Sequence, residues 1–580
     1  MRNVLLLVML VVAVCSLTQG QPVNWYIISE VPDVSSQVRG SLGGLALDST
    51  GNLYVSDADY GDRVLKVTPA RQISIVAGTG NPGFNGDNRP AASAQLNSPR
   101  GLAVDSAGNL YIADYRNHRV RKVTPAGVIT TVAGTGNYGT GGDGGPATGA
   151  DLNGPKGVAL DGAGNLYILV SIQYYRTDPR VRKVSPAGVI TSVTNIPTGD
   201  FDHITADTGG NLYLTQSDSG KVYKVSASGG FTVLAGTGSD RFNGDGQAAT
   251  SANLSPLSAG VDSAGNLYIA DYGNSRIRKV TSNGLISTIA GTGESGDIAD
   301  GDPAPWSPLN GPKGVALDNA GNLYVTVSPS RYGSTKTVVK LMPLQISPKG
   351  VVNAASYLTG PVAPGEIIAM FGSGLGSLNG VGTTLDPTGL VSNSVAGRKL
   401  LFDGQPSPLF YVRADQINAV VPYSVAGKAS TEVQLDCKGA KSNSVTLSVA
   451  SVAPGIFTAD SSGKGLGAIL NQDGSLNSSS KPAQAGSIVI IYATGQGQTN
   501  PPGIDGKLAT APYPQPVLPV SLTIGGIPAE ILYAGAAPGF AGLMQINARL
   551  PAGVTPGNSV PVVLSIGGNP SQPGVTLAVQ

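Results

Sequence analysis

A four-residue motif, Gly-Asn-Leu-Tyr, recurs six times between residues 51 and 324 and limits the possible folds more than any other feature. Successive copies are 57, 56, 46, 55 and 56 residues apart. A fixed period of this length indicates a repeat architecture, in which each unit packs against its neighbours. The asparagine of the motif lies at Asn52, Asn109, Asn165, Asn211, Asn266 and Asn322.

The unit around Asn109 shows what each repeat contains. Short apolar runs separated by Gly, Asn and Asp predict antiparallel strands joined by turns. In the third run, we expect Val120 and Val123 to face inward and the basic side chains to face mostly outward. Four strands in each of six units predict an all-β chain with a six-bladed β-propeller. The predicted strands are Gly101–Asp105, Leu110–Ala113, Arg119–Val123 and Val128–Ala133.

Two segments resemble the NHL-repeat family of β-propellers. Asn117–Val120 (Asn-His-Arg-Val) follows Asp114, and Asn274–Ile277 (Asn-Ser-Arg-Ile) follows Asp271. The resemblance covers roughly residues 23–343 and implies a propeller over residues 21–345. The sixth unit stops after Thr337–Met342, one strand short. We therefore expect the spare strand Trp25–Ser29 to complete the last blade as its outer strand and to close the ring.

The N-terminus predicts export. One positive charge, the apolar run Val4–Val14 and small residues at Thr18 and Gly20 are typical of a secretory signal over residues 1–20, cut before Gln21. The alternative is a lipoprotein anchored through Cys15. The mature protein would be extracellular, periplasmic or held at the cell surface, with no transmembrane segment. Balanced charge, 37 Lys and Arg against 36 Asp and Glu, disfavours a nucleic-acid partner.

The second half carries its own duplication. Pro364–Gly374 matches Ala485–Gly495 in sequence, and further motifs follow in the same order, which divides the half into residues 346–450 and 451–580. Alternating apolar runs predict an immunoglobulin-like β-sandwich in each unit. The segment resembles a C-terminal domain family of acidobacterial secreted proteins. Its motifs here are Ala414–Asn418, Ala453–Phe457 and Ala493–Gly497.

Four connections between repeats share an Ala-Gly-Thr-Gly sequence that is followed by an aspartate at a fixed distance. Two interpretations stay open for these aspartates. They are calcium ligands or a ligand-facing rim, or they cap a Gly-rich turn. Calcium is the only cofactor that the sequence suggests. The four residues are Asp87, Asp143, Asp245 and Asp300. A second set at every first turn is predicted to be structural: Asp48, Asp105, Asp161, Asp207, Asp262 and Asp318.

Departures from the repeat are the predicted ligand-binding positions. The unit between Asn165 and Asn211 is about ten residues shorter than the others, which leaves a notch in the rim. Exposed Tyr and Arg side chains suit recognition of protein or sugar, and loop filler is the alternative. The candidates are Tyr174, Tyr175, Arg176, Arg331 and Tyr332, together with His203, which stands where other units have glycine.

These features predict a secreted, non-enzymatic binding or scaffold protein whose loop face contacts a protein or polysaccharide partner. The alternative is a metal-dependent hydrolase or lyase, similar to propeller lactonases, with its site in the central channel. With His118 and His203 as its only histidines, the chain cannot form the three-histidine site of a zinc enzyme. No catalytic residues are predicted.

Overall fold

The computed structural model describes residues 25–31, 34–171, 181–328 and 337–580. Strands account for nearly all of its secondary structure, which confirms the all-β prediction. One α-helical turn spans Val34–Gln37. Short 3-10 turns span Ala91–Ser93, Tyr115–Asn117, Ala147–Gly149, Ala249–Ser251, Tyr272–Asn274, Ala304–Trp306 and Tyr423–Val425. No helix of the described ranges combines the length and apolarity needed to cross a bilayer.

The first half forms six antiparallel sheets, numbered 1 to 6 here, each with four strands paired side by side. Sheet 1 contains Ser41–Leu47, Leu53–Ala58, Arg63–Val67 and Ile73–Ala77. Sheet 2 contains Pro99–Val104, Leu110–Asp114, Arg119–Val123 and Val128–Ala133. Sheet 3 contains Pro155–Leu160, Leu166–Val170, Val181–Val184 and Ile190–Ser192. Sheet 4 contains His203–Ala206, Leu212–Gln216, Lys221–Val225 and Phe231–Ala235. Sheet 5 contains Pro256–Val261, Leu267–Asp271, Arg276–Val280 and Ile286–Ala290. Sheet 6 contains Pro312–Leu317, Leu323–Val327, Thr337–Pro343 and Tyr26–Glu30. The short strands Arg89–Pro90 and Asp302–Pro303 add to the outer edges of sheets 2 and 6.

The first strands of the six sheets surround a common centre. Each contacts the first strands of the two neighbouring sheets, and the first strand of sheet 6 contacts that of sheet 1. Glycine permits this approach, since a Cβ built on Gly101 would lie only 2.6 Å from the Cα of Gly157. We call this arrangement the ring.

The ring is closed by the chain's first described strand. Tyr26–Glu30 pairs antiparallel with Thr337–Pro343, with Ile28 opposite Leu341. It forms the fourth and outer strand of sheet 6, as the sequence predicted. Ile28 is fully buried, so the closing strand is part of the core.

The repeated Gly-Asn-Leu-Tyr motif organises the first turn of each sheet. Asp105 Oδ1 accepts a hydrogen bond from the backbone N–H of Asn109 at 2.8 Å. Its Oδ2 accepts from Asn109 Nδ2 at 2.8 Å and from the Tyr111 hydroxyl at 3.2 Å. The Asp–Asn pair recurs in all six sheets, which confirms the structural role predicted for the first-turn aspartates.

One prediction about the third strands is wrong. Lys122 points outward and lies over Tyr111, as expected, with Nζ 5.6 Å from the ring centroid. Arg121, however, is fully buried, and so are the matching side chains Arg182 and Arg278. Their guanidinium groups reach the connection from the preceding sheet, where they find carboxylate and carbonyl oxygens. The alternation of the strand therefore buries the charged guanidinium group of Arg121 inside the ring wall. Asp87 stabilises the buried charge there.

The second half forms two units, each with two sheets enclosing one apolar core. Unit 1 (residues 346–450) pairs Gln345–Asn353, Ile367–Ser373, Gln416–Val420, Leu409–Val412 and Val381–Gly382 in one sheet. Its other sheet contains Gln405–Pro406, Arg398–Phe402, Ser430–Cys437, Ala440–Lys441 and Val445–Ser448. The lone cysteine of the described ranges, Cys437, is buried.

Unit 2 (residues 451–580) repeats this pairing: Ile488–Thr494 lies beside Met544–Arg549 as Ile367–Ser373 lies beside Gln416–Val420. The same sheet includes Gly455–Ile456, Ile469–Leu470 and Glu530–Ala536. The other contains Gly465–Leu466, Val575–Val579, Gly557–Ile566, Val520–Ile524, Ile527–Pro528 and Asn569–Pro570. Thr499–Asn500 and Gln515–Pro516 form a separate two-stranded ribbon.

Unit 1 is joined to the outer edge of the ring. The Arg398 guanidinium donates to the carbonyl of Gly301, and Lys438 Nζ lies 2.5 Å from Asp302 Oδ1. Trp25 and Trp306 meet edge to face with ring centroids 5.0 Å apart. Ile27 of the closing strand belongs to the apolar core of unit 1. The ring and unit 1 therefore share a core across their boundary.

Candidate functional site at the mouth of the ring

A cavity of about 340 Å³ opens at one end of the ring's central channel. It is bordered by Ser41, Ala58 and Asp59 of sheet 1 and by the beginnings of the first strands of all six sheets. We call this opening the mouth. Every residue that borders it belongs to the ring, so units 1 and 2 do not line it.

Two consecutive positions near the start of each first strand lie at the mouth, although in sheet 3 only the first of them, Lys156, borders the cavity. The first of them is the outer position, and it differs from sheet to sheet. In the order of the sheets it is Gly43, Arg100, Lys156, Asp202, Leu257 and Lys313. All six residues are partly exposed, so the five side chains other than that of Gly43, which has none, meet solvent at the opening.

The second, inner position is glycine in four sheets because the neighbouring strand passes close by. A Cβ built on Gly44 would lie 2.6 Å from the carbonyl oxygen of Arg100. Sheet 5 has Ser258 here, and sheet 4 has His203, the largest side chain in the set. The repeat therefore tolerates a large inner side chain at sheet 4 alone.

His203 is held neutral by its surroundings. Burial lowers the pKa of its imidazole to about 4, because a charged ring would be poorly solvated there. Its Nδ1 has no hydrogen-bond partner among the described residues, and its side chain borders both the mouth and the channel below. It can accept or donate a hydrogen bond to a ligand near neutral pH without carrying charge.

Two cations flank a gap in the mouth. Arg100 and Lys313 stand on sheets 2 and 6, the two neighbours of sheet 1. Sheet 1 carries Gly43 and Gly44 at the corresponding positions, so no side chain fills the space between them. The Arg100 guanidinium is fixed by stacking on Tyr115, 3.7 Å from the ring centroid. We call this gap the cationic cradle.

The carboxylates at the mouth accept hydrogen bonds from the chain itself. Asp59 Oδ2 accepts from the Ser41 hydroxyl at 2.5 Å, and this bond lowers the pKa of Asp59. Asp202 accepts from the backbone N–H of Ser217 at 2.7 Å, yet burial raises its pKa. Lys156 pairs with Asp200 at 2.6 Å. Lys313 makes no ion pair with the described part of the chain, so its charge is available.

The shortened repeat lies beside this site. The connection from sheet 3 to sheet 4 runs directly from Ile190–Ser192 to His203–Ala206. The connections into sheets 2, 3, 5 and 6 each include a 3-10 turn, which this one lacks. Asp202 and His203 follow immediately, so this short connection adjoins the mouth.

The four aspartates of the long connections lie outside the mouth. Asp87, Asp143 and Asp245 bind the buried arginines of the following sheet, at 2.7, 2.6 and 2.9 Å. Asp300 instead lies near Glu30, and the proximity raises the pKa of Glu30 beyond the effect of burial. The four carboxylates thus lie in four separate connections between sheets. No group of three or more His, Cys, Asp or Glu suited to a metal occurs in the described ranges.

Five predicted binding residues cannot be placed. Tyr174, Tyr175, Arg176, Arg331 and Tyr332 lie outside the described residues. The connections around the mouth present exposed aromatic side chains that were not predicted from the sequence. Tyr60, Tyr138 and Tyr272 are 87%, 47% and 42% exposed.

The exposed tyrosines and the basic residues of the mouth follow patterns that are visible in the sequence. Tyr60, Tyr115 and Tyr272 all lie in the short connections that follow the second strands. Arg100, Lys156 and Lys313 all stand between proline and glycine at the start of a first strand. Both patterns repeat at the period of the units, so aligning the six copies would have revealed them.

The known proteins whose sequences are similar to this chain match residues of the ring. The family profile described as "Teneurin NHL domain" matches residues 45–141 and 174–297. Teneurin-1 of Mus musculus is 30% identical over 291 residues, which is 41% of this chain and 10% of teneurin-1. The chloroplastic protein SUPPRESSOR OF QUENCHING 1 of Arabidopsis thaliana is 27% identical over 309 residues, which is 49% of this chain and 29% of that protein. The chain thus spans about a tenth of the length of teneurin-1 and less than a third of the length of the Arabidopsis protein.

A solved structure from Bacteroides thetaiotaomicron, of a structural genomics protein of unknown function, covers 55% of this chain and 75% of its own. It is 18% identical, with a TM-score of 0.41. The sequence matches lie in the first half of the chain and support the NHL part of the resemblance.

Proposed function

We propose that this chain is a secreted, non-enzymatic binding protein that takes an acidic polysaccharide at the mouth of a six-bladed propeller. In this proposal the six sheets are the blades. Units 1 and 2 are immunoglobulin-like modules that act as a spacer or as a point of attachment. Export rests on the signal-like residues 1–20.

The observation that carries the proposal is the cationic cradle. Arg100 and Lys313 flank a space that Gly43 and Gly44 leave open, and these two cations outnumber the one carboxylate beside them, Asp59, which its hydrogen bond from Ser41 keeps ionised. A carboxylate placed there would meet two cations, one of them a guanidinium suited to bidentate binding. His203 offers a neutral hydrogen-bonding group across the mouth.

Exposed tyrosines favour a sugar chain as the partner. Tyr60, Tyr138 and Tyr272 lie on connections at the same face as the mouth. Aromatic side chains combine a large apolar surface with a polar tip and are frequent at recognition surfaces. An extended acidic polysaccharide can place one carboxylate in the cradle while neighbouring sugars lie against the rim.

Binding of a polyuronate tests the proposal, with a neutral glucan of similar length as the control ligand. The full chain is expected to bind the polyuronate at least tenfold more tightly. The preference should weaken as the salt concentration is raised, because salt screens exposed charges. Equal binding of the two polymers would contradict the proposal, and tighter binding of polyglutamate would point to an acidic protein segment instead.

Variants locate the binding to the cradle. Replacing Arg100 and Lys313 together by glutamine should reduce polyuronate affinity at least tenfold. Lys399→Gln, which removes an exposed lysine on unit 1, is the matched control and should leave affinity unchanged. Unchanged binding by the double variant would place the ligand elsewhere.

The alternative, a metal-dependent hydrolase or lyase in the channel, needs a ligand set that the described residues do not supply. It remains a prediction with its own test, which is the metal content of the purified chain after dialysis against a weak chelator. About one retained calcium or zinc per chain would favour it.

A further inference from the structure

A second cavity, of about 150 Å³, lies between units 1 and 2, away from the mouth of the ring. Unit 1 contributes Val420 and Tyr423 to its wall. Unit 2 contributes Gln496 and two loops, residues 501–514 and 536–542. We call it the inter-unit pocket.

The first loop is fastened across unit 1. The carbonyl of Gly506 accepts from the backbone N–H of Val391 at 2.8 Å. Asp505 Oδ1 accepts from the backbone N–H of Tyr423, also at 2.8 Å. Gly503 lies flat on the Tyr423 ring, where a Cβ would come within 2.0 Å of a ring carbon. One wall of the pocket is therefore built and held by both units.

The second loop is an addition that unit 1 lacks. The two tandem units align at Tyr411 with Tyr533 and at Gln416 with Gln545, and the segment between these points is longer in unit 2. The extra residues place Phe540 at the edge of the pocket with 57% of its surface exposed. An aromatic side chain held at a cavity edge is poorly placed for stability alone, and it suits contact with a ligand.

Gln496 supplies the polar feature of the pocket. It is 2% exposed, and its side chain lies near the Tyr423 hydroxyl, where it opposes the larger effect of burial, which raises the pKa of Tyr423. Its Oε1 is buried and has no partner among the described residues. A buried acceptor without a donor is costly, so a bound group that donates one hydrogen bond would be stabilised here.

We propose that the inter-unit pocket binds a phenolic ring, whose hydroxyl donates to Gln496 Oε1 while the ring packs against Phe540 and the prolines of the 501–514 loop. The volume supports this class, because a cavity of about 150 Å³ accepts one benzene-sized ring. The ring comes from a tyrosine side chain of a partner protein or from a small phenolic compound.

The test compares p-cresol with toluene, which differ only in the hydroxyl group, by ligand-observed NMR on the full chain. The wild type is expected to bind p-cresol about fivefold more tightly, the gain from one buried hydrogen bond. Gln496→Leu should abolish this preference and leave the affinity for toluene unchanged. Equal affinities in the wild type, or a preference that survives in the variant, would overturn the proposal.

Two further variants guard against a folding defect. Phe540→Ser changes an exposed loop residue and should weaken both ligands without altering the unfolding midpoint. Gln484→Leu, at an exposed glutamine of the same unit away from the pocket, should change neither affinity. Binding of N-acetyltyrosinamide as tight as that of p-cresol would identify a protein side chain as the source, and p-cresol binding alone would identify a small phenol.

Discussion

The residue at the centre of the third strand is matched by the residues of the connection that leads into the same sheet. Sheets 2, 3 and 5 have Arg121, Arg182 and Arg278 there, and the connections leading into them carry the paired Asp87, Asp143 and Asp245. Sheet 4 has Tyr223 and a connection without the aspartate. Sheet 6 has Val339, and Asp300 is left without an arginine. The pairing explains the aspartates as structural partners of buried cations, since a guanidinium inside the wall needs a carboxylate.

Substitution of Asp245 and Asp300 should distinguish an aspartate that is paired with a buried arginine from one that is not. Asp245→Asn weakens the bond to Arg278 and is expected to lower the free energy of unfolding by about 1 kcal/mol, a modest loss because the carboxylate is 41% exposed. Asp300→Asn should be neutral or slightly stabilising, because Asp300 faces Glu30. Urea unfolding of the full chain measures both. A larger loss for Asp300→Asn would indicate that this carboxylate has a role of its own.

Glu366 is a buried acid at the junction of the two C-terminal units. Its oxygens accept from Asn353 Nδ2 at 2.8 Å and from the backbone N–H of Ala363 at 2.7 Å. Burial nevertheless dominates and raises the pKa of Glu366 to about 8. Between pH 4.5 and 8 the folded chain therefore retains a proton that the unfolded chain has lost, and stability falls as the pH rises through this window.

Glu366→Gln should remove this pH dependence. The variant cannot ionise, but its NH2 group faces one of the two N–H donors, so it should be less stable than the wild type near pH 5. The wild type should lose a few kcal/mol between pH 5 and pH 9, given about 1.4 kcal/mol per pKa unit, and the variant should lose none of this. Thermal unfolding at both pH values measures the difference. Exposed Glu432→Gln serves as control, and equal changes from pH 5 to pH 9 in the wild type and Glu366→Gln would show that the acid is ionised without cost.

At the scale of elements, the repeat predicted most of the ring. Strand order within each unit, the closing strand and the short connection before sheet 4 all follow from apolar alternation and repeat spacing. The buried arginines were missed because single-strand alternation cannot reveal a partner 34 residues away, as in Arg121 and Asp87. The cradle was missed because it depends on what Gly43 leaves empty between two other sheets, which no single repeat displays.

The closing strand Tyr26–Glu30 should contribute more to the free energy of unfolding than its five residues suggest. Ile28→Ala removes a fully buried side chain opposite Leu341 and is expected to cost about 3 kcal/mol. Ile75→Ala in the fourth strand of sheet 1 is the control, since Ile75 is 44% exposed, and it should cost less than 1 kcal/mol. Chemical denaturation gives both values. Similar costs at the two sites would mean that the strand is not part of the cooperative ring.

At the scale of the whole molecule, the junction between the ring and unit 1 can be observed directly. The chain has two tryptophans, Trp25 and Trp306, and they contact each other at this junction. Tryptophan fluorescence therefore reports the junction, whereas far-UV circular dichroism reports all the sheets. Coincident transitions are expected for the wild type because the ring and unit 1 share Ile27 in one core.

Arg398→Leu should uncouple the two signals. The change removes the hydrogen bond to Gly301, so the fluorescence transition is expected at lower urea than the dichroism transition, with about 2 kcal/mol lost at the junction. Lys399→Leu, at the exposed neighbour, should leave the transitions together. If Arg398→Leu also leaves them together, the remaining contacts, which include the tryptophan pair and the Lys438–Asp302 ion pair, are sufficient to hold the junction.

The closing strand also determines when the molecule can finish folding. Tyr26–Glu30 is synthesised before every sheet of the ring, but its partner Thr337–Pro343 is synthesised after five complete sheets. Such distant pairing makes folding slow, because the loop between the partners must be ordered before their contact forms. For most of its synthesis the nascent chain therefore exposes an apolar strand with free backbone donors and acceptors. Chaperone binding to Tyr26–Glu30 would shield the strand until its partner strand has been synthesised.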